Sequence, residues 1–145
     1  MGGLTRLPVI SLALFVGGSI VAHAQGKQSS VARGKYLVED VVMCEQCHTP
    51  RDENGKPDRG RWLMGGPLQL RPTYAAPNWA TVAPRLAGQP PGTDAEVIKL
   101  LTTGIWKTGE PPKPPMLQFH MTQADAEAVV AYLKSLSSED EARRK

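Results

Sequence analysis

Residues Cys44-Glu45-Gln46-Cys47-His48 decide how the rest of the chain is read. They contain both cysteines of a 145-residue sequence, and they are followed at once by a histidine. Two cysteines in an exported chain would ordinarily be read as a disulfide, and a bare C-x-x-C as a dithiol redox pair. Neither chemistry needs the adjacent imidazole. A structural zinc site would need a fourth ligand at suitable spacing, and none is present. The full pattern places two thiols close enough to add to the two vinyl groups of one porphyrin, with an imidazole nitrogen within reach of its iron. The five residues therefore predict one covalently attached haem, with Cys44 and Cys47 as thioether carriers and His48 as the proximal ligand.

Thioether attachment of this kind belongs to an exporting compartment, and the N-terminus agrees. Thr5-Arg6 precede an apolar run from Val9 to Ala22, and Ala22-His23-Ala24 is a small-x-small cleavage pattern. The expected organisation is a signal peptide over 1–24 and a single domain over 25–145, with a retained anchor as the alternative. Cleavage after Ala24 leaves 16 Lys plus Arg against 14 Asp plus Glu, because only Arg6 is lost, and so a charge near +2. That balance argues against a nucleic-acid partner, which needs a concentrated basic surface. No second apolar run reaches the roughly 20 residues of a membrane span, so no stable insertion is expected after cleavage.

Outward from the motif, Ser30 is placed to cap a helix over Val31 to Met43, with Ala32, Tyr36, Leu37, Val38 and Val41 on its buried face. Gly34 within it suits a close helix crossing. Residues 49–92 carry Asn54-Gly55, Gly65-Gly66-Pro67 and Gln89-Pro90-Pro91-Gly92, which read as a long irregular segment wrapped around a flat group. Thr93 and Glu96 have capping-box spacing ahead of a short helix that ends before Gly104. Thr122 and Asp125 start a stronger helix running through Leu136, with Ala126, Val129, Val130, Leu133 and Leu136 on its packing face and Tyr132 beside the first helix.

Between the last two helices lies Pro111-Pro112-Lys113-Pro114-Pro115-Met116, a restrained loop suited to holding a side chain at a fixed point on the second haem face. Met116 is the expected distal ligand: a thioether binds low-spin iron without a titratable charge, and filling both axial positions favours electron transfer. Met121 has the same atom but abuts a helix start, which favours packing, and His120 reads as a surface residue. Trp62, Tyr74, Trp79 and Trp106 could each offer a polar hydrogen to a haem propionate, and Arg61 and Arg71 could balance its charge.

Taken together, the attachment motif near an N-terminal helix, the Pro-Pro-Met116 loop and the Tyr132-containing final helix resemble a class I c-type cytochrome. The segment Pro77-Asn78-Trp79, with Thr93-Asp94-Ala95-Glu96 and Leu101-Thr102-Thr103-Gly104, is similar to cytochrome modules associated with bacterial dehydrogenases. The resemblance implies an all-α class I cytochrome c fold, with three main helices and long loops around a single haem c. It implies that Gly34 and Tyr132 share a helix crossing, that the Pro67 carbonyl accepts the proximal imidazole hydrogen bond, and that Trp79 contacts a propionate. It further implies a periplasmic one-electron carrier rather than an enzyme. Its partners would be a periplasmic dehydrogenase or quinol-oxidising complex on one side and an oxidase or another cytochrome on the other. A haem enzyme or small-ligand sensor with an openable distal position, and a tightly bound non-catalytic subunit, are the alternatives.

Overall fold

The computed structural model describes Gly2 and residues 30–143, with side chains described through residue 136; the expected signal peptide over 1–24 lies, Gly2 aside, outside the described residues. The architecture is all-α in its regular parts, and its three main helices and long connecting loops are compatible with a class I cytochrome c fold.

The first helix, α1, is α-helical over 30–36 and passes into a π-turn at Leu37–Val41. Ser30 is itself helical, so it lies within the helix and is not the flanking cap expected of it. The turn is closed by Val42 N–H donating to Leu37 O at 2.9 Å and Cys44 N–H donating to Val38 O at 2.9 Å. The buried face differs from the one read from periodicity. Leu37 and Val38 are buried as expected, but Ala32 is exposed, and Tyr36 and Val41 are 51% and 49% exposed. The stripe that packs inward runs through Val31, Gly34, Leu37 and Val38.

Gly34 sets that stripe. A Cβ at this position would lie 1.9 Å from the Ala128 carbonyl oxygen and 2.8 Å from Tyr132 Cβ, so the two helices cross at a distance only glycine permits. Tyr132 Oη donates to Glu39 Oε1, and Arg33 Nε donates to Asp125 Oδ1 at 2.9 Å, which ties the crossing on both flanks.

The one-turn helix α2, Glu45–His48, carries the attachment motif and opens the long loop. That loop contains a 3-10 turn at Arg59–Arg61 and a two-residue antiparallel pairing of β1, Gly66–Pro67, with β2, Val82–Ala83, in register Gly66 to Ala83 and Pro67 to Val82.

Helix α3, Asp94–Thr103, has the expected capping box: Glu96 N–H donates to Thr93 Oγ1, Thr93 N–H donates to Glu96 Oε2, and Gly104 ends the helix in the left-handed conformation. Helix α4, Gln123–Arg143, starts with Asp125 N–H donating to Thr122 Oγ1 and runs beyond the expected Leu136. Ala126, Val129, Val130 and Leu133 are buried and Leu136 is half-buried, as its periodicity predicts. Val97 and Leu101 of α3 join them, and Lys134 Nζ reaches Asp94 Oδ2 at 2.7 Å across the same interface.

Candidate functional site

The attachment motif occupies a single helical turn. His48 N–H donates to Cys44 O at 2.9 Å and Cys47 N–H to the same oxygen at 3.3 Å, so both cysteines sit one turn apart on one side. Both thiols are free and half-buried. Burial, reinforced by the Glu45 carboxylate, pushes the Cys44 thiol up to about 12, which keeps its proton on sulfur at neutral pH.

His48 is 6% exposed, and its Nδ1 lies 2.8 Å from the carbonyl oxygen of Pro84. A carbonyl can only accept, so Nδ1 carries the hydrogen and Nε2 is left with the lone pair a metal requires. Burial lowers the imidazole pKa, opposed by the Pro84 hydrogen bond, which favours the neutral, ligating form. The acceptor is therefore Pro84 and not Pro67. Pro67 is exposed in β1, opposite Val82, and the strand pairing brings the residue just after β2, rather than β1 itself, to the imidazole. Gly65 makes this possible. It has φ 73°, and a Cβ there would lie 2.6 Å from Arg85 N and 2.7 Å from Pro84 C, while its own N–H donates to His48 O at 2.7 Å. The segment around Pro84 is thereby pressed against the histidine. The signal missed in the sequence was the run Ala83-Pro84-Arg85, whose first residue ends the strand and whose second has a carbonyl free of the ladder.

Glu45 is also buried, at 6% exposure. Its Oε1 accepts from Gln46 Nε2 at 3.0 Å, and its Oε2 has no hydrogen-bond partner.

Met116 is half-buried in the proline-restrained loop, with its N–H donating to Lys113 O at 3.2 Å. Ala80 N–H donates to Pro114 O at 2.7 Å, which anchors this loop to the segment containing Trp79. Met121 packs against the hydrophobic core, and His120 is exposed, as expected for both. Trp79 departs from expectation: its indole N–H donates to Leu70 O at 3.0 Å and is committed to the backbone. It lines an open cavity of about 300 Å³ together with Leu70, Arg71, Pro72 and Ala80. The two candidate arginines separate here. Arg61 is held by Asp58 at 2.7 Å, whereas Arg71 lines the cavity. Trp62 is half-buried beneath the Arg59 guanidinium at 4.1 Å, and Tyr74 is 70% exposed.

These residues fit a covalently attached haem. Two free thiols lie one helical turn apart beside a buried imidazole whose Nδ1 is held by the Pro84 carbonyl. Leu70, Val82 and Leu117 expose 56%, 60% and 67% of their surface along the same segments, apolar area suited to a flat apolar group.

Comparison with known proteins adds an independent line. The chain is 32% identical over 115 residues to the fructose dehydrogenase cytochrome subunit of Gluconobacter japonicus, covering 75% of this chain and 22% of that protein. It is 57% identical over 35 residues to a diheme cytochrome c-type protein of Cereibacter sphaeroides, covering 24% of this chain and 12% of that protein. The chain thus spans about a fifth or less of the length of these relatives. The Cytochrome c family matches residues 31–137, from α1 through the side-chain-described part of α4. With that match spanning every element around the imidazole and the Met116 loop, the chain belongs to the cytochrome c family and is an electron-transfer haem protein.

Proposed function

We propose that the chain is an exported one-electron carrier with a single haem c held by Cys44 and Cys47 and ligated by His48 and Met116. The observation that carries this reading is the Nδ1 contact of His48 with Pro84 O, which fixes the tautomer and orients Nε2 as a metal donor. When bound, haem supplies one-electron exchange between Fe(III) and Fe(II). The Pro84 carbonyl draws on the Nδ1 hydrogen and increases the donor strength of the opposite nitrogen. The Met116 loop, limited by four prolines and tied to Ala80, holds a neutral sulfur donor at fixed position. With both axial positions filled from the chain, no substrate atom needs to reach iron. The chain's part is then to exclude water, fix the ligands and present one edge to redox proteins.

In this reading residues 1–24 are a removed signal peptide, 25–145 form the cytochrome domain, and the protein works in the periplasm. Among the described residues no helix is long and apolar enough to cross a membrane. The donor is a periplasmic dehydrogenase or quinol-oxidising complex, and the acceptor an oxidase or another cytochrome. Similarity to a dehydrogenase cytochrome subunit supports a second reading, a dedicated subunit of a larger redox complex. Exported expression with haem maturation, followed by absorption spectroscopy, tests the core proposal. A denaturation-resistant haem with a methionine-sulfur charge-transfer band in the oxidised protein is expected. A chain that matures without haem, or whose iron carries an exchanging sixth ligand, overturns it. Co-purification of a flavin or metal dehydrogenase with the native chain would select the subunit reading over the free carrier.

A further inference from the structure

We infer that Thr49 is a positioning residue: its buried hydroxyl holds Leu63 in place and, through Leu63, sets how firmly the Pro84 carbonyl grips His48. The inference rests on His48 being the iron ligand of the proposed function, and it adds the group that fixes the ligand's own acceptor.

Three stretches of backbone are tied together around the histidine: 48–49 at the end of α2, 63–66, and 83–87. Hydrogen bonds join the middle stretch to each of the others. On one side Gly65 N–H donates to His48 O at 2.7 Å, and Leu63 N–H donates to Thr49 Oγ1 at 3.0 Å. On the other, Leu63 O accepts from Leu86 N–H at 2.8 Å and from Ala87 N–H at 3.1 Å, and Gly66 pairs with Ala83. The bond from His48 Nδ1 to Pro84 O, 2.8 Å long, runs from the first stretch to the third. Its geometry therefore depends on how the middle stretch is held.

Leu63 is the strained point of that stretch. Its φ is 54°, in the left-handed region that a leucine enters only when its surroundings hold it there. Both of its backbone groups are engaged, and its side chain is fully buried. The N–H depends on the Thr49 hydroxyl. Thr49 is itself 3% exposed, so water is not at hand to replace that oxygen. Removing the hydroxyl leaves a buried donor unpaired on a strained residue, and the peptide turns to find another acceptor. Leu63 O turns with it and draws on Leu86 and Ala87, two and three residues beyond Pro84. The Pro84 carbonyl then pulls less on the Nδ1 hydrogen, and Nε2 becomes the weaker donor. A weaker imidazole donor favours Fe(II) over Fe(III), so loss of the hydroxyl raises the reduction potential.

The test compares haem-loaded wild type, Thr49→Val, Thr49→Ser and Thr93→Ala. Midpoint potentials are read by spectroelectrochemistry, and exchange of the His48 Nδ1 hydrogen by proton NMR. Thr49→Val keeps the shape and removes the hydroxyl, Thr49→Ser keeps the hydroxyl, and Thr93→Ala removes a stabilising hydroxyl from the cap of α3. The expected result is a higher potential and faster Nδ1 hydrogen exchange in Thr49→Val with an unchanged methionine-sulfur band. Thr49→Ser should lie near the wild type, and Thr93→Ala should show no change in either readout. An unchanged potential in Thr49→Val, a rise that persists in Thr49→Ser, or an equal rise in Thr93→Ala overturns the inference while leaving the haem carrier intact. If Thr49→Val does not mature, hydrogen exchange in the wild type decides. Leu63 N–H and the His48 Nδ1 hydrogen are expected to exchange through one common opening, with parallel dependence on denaturant. An imidazole hydrogen that exchanges while the Leu63 amide stays protected overturns the coupling. A wild-type chain without haem overturns the carrier reading and the inference with it.

Discussion

At the scale of single residues, the site divides between groups whose role was legible from spacing and groups whose role depends on how distant segments meet. Cys44, Cys47 and His48 are legible because one helical turn fixes their mutual geometry whatever the rest of the chain does. Replacing Cys47 with Ala should leave a chain that binds haem less stably and loses it under denaturing electrophoresis; persistent covalent haem staining would contradict its role. Met116→Ala should remove the methionine-sulfur band and open the sixth position, so that the reduced protein binds carbon monoxide. Met121→Leu, a near volume-conserving exchange at a packed residue, should leave both properties unchanged and cost less than about 1.5 kcal/mol. The imidazole acceptor was not legible. Pro67 and Pro84 are both non-donating residues in the same loop, and only the pairing of Gly66 with Ala83 and the tight packing of Gly65 decide which carbonyl faces His48. The indole hydrogen bond of Trp79 was likewise not legible, because its acceptor is the backbone oxygen of Leu70, nine residues away.

At the scale of elements, the helices α3 and α4 follow their sequence signals closely because caps and apolar periodicity act locally. Thr93→Ala removes one half of the capping box on α3 and should lower stability by about 1 kcal/mol, read as a reduced denaturant midpoint. Helix α1 departs from its periodic reading. Ala32 and Tyr36 lie two positions from Gly34, on the opposite side of a regular 3.6-residue helix, and are exposed by that repeat itself, whereas the π-turn at Leu37–Val41 inserts extra backbone and leaves Val41 half exposed. The close approach at Gly34 was visible in the sequence as an unfavourable residue in a helix, and the crossing against Ala128 supplies the reason for it. Gly34→Ala should therefore destabilise the fold despite the better helix propensity of alanine, by about 1–3 kcal/mol from overpacking. A gain in thermal midpoint for this variant would show that the crossing relaxes freely.

At the scale of the whole molecule, carboxylates that titrate on the acid side secure both the α1–α4 crossing and the start of α3. The Arg33 guanidinium holds the Asp125 carboxyl below its ordinary value, and the Thr93 backbone N–H does the same for Glu96. A folded-state pKa below the unfolded one contributes stability that is present above the unfolded value and disappears as pH falls through the folded value. Stability should thus decline below about pH 4, and Asp125→Asn should flatten part of that decline in denaturant titrations across the acid range. Both side chains are partly exposed at the surface, so the contribution is modest and should shrink further with added salt. The α1–α4 crossing joins partners separated by 92 and 93 positions, Arg33 with Asp125 and Glu39 with Tyr132. Contacts of such long range form late, because a large loop must close before they gain anything. In a chain emerging N-terminus first, the attachment turn at Cys44 and Cys47, which directly follows α1, is complete about 75 residues before the helix that crosses α1 begins. Both sulfurs stay half-buried even with that helix docked, so the crossing fixes the approach to the attachment turn without sealing it.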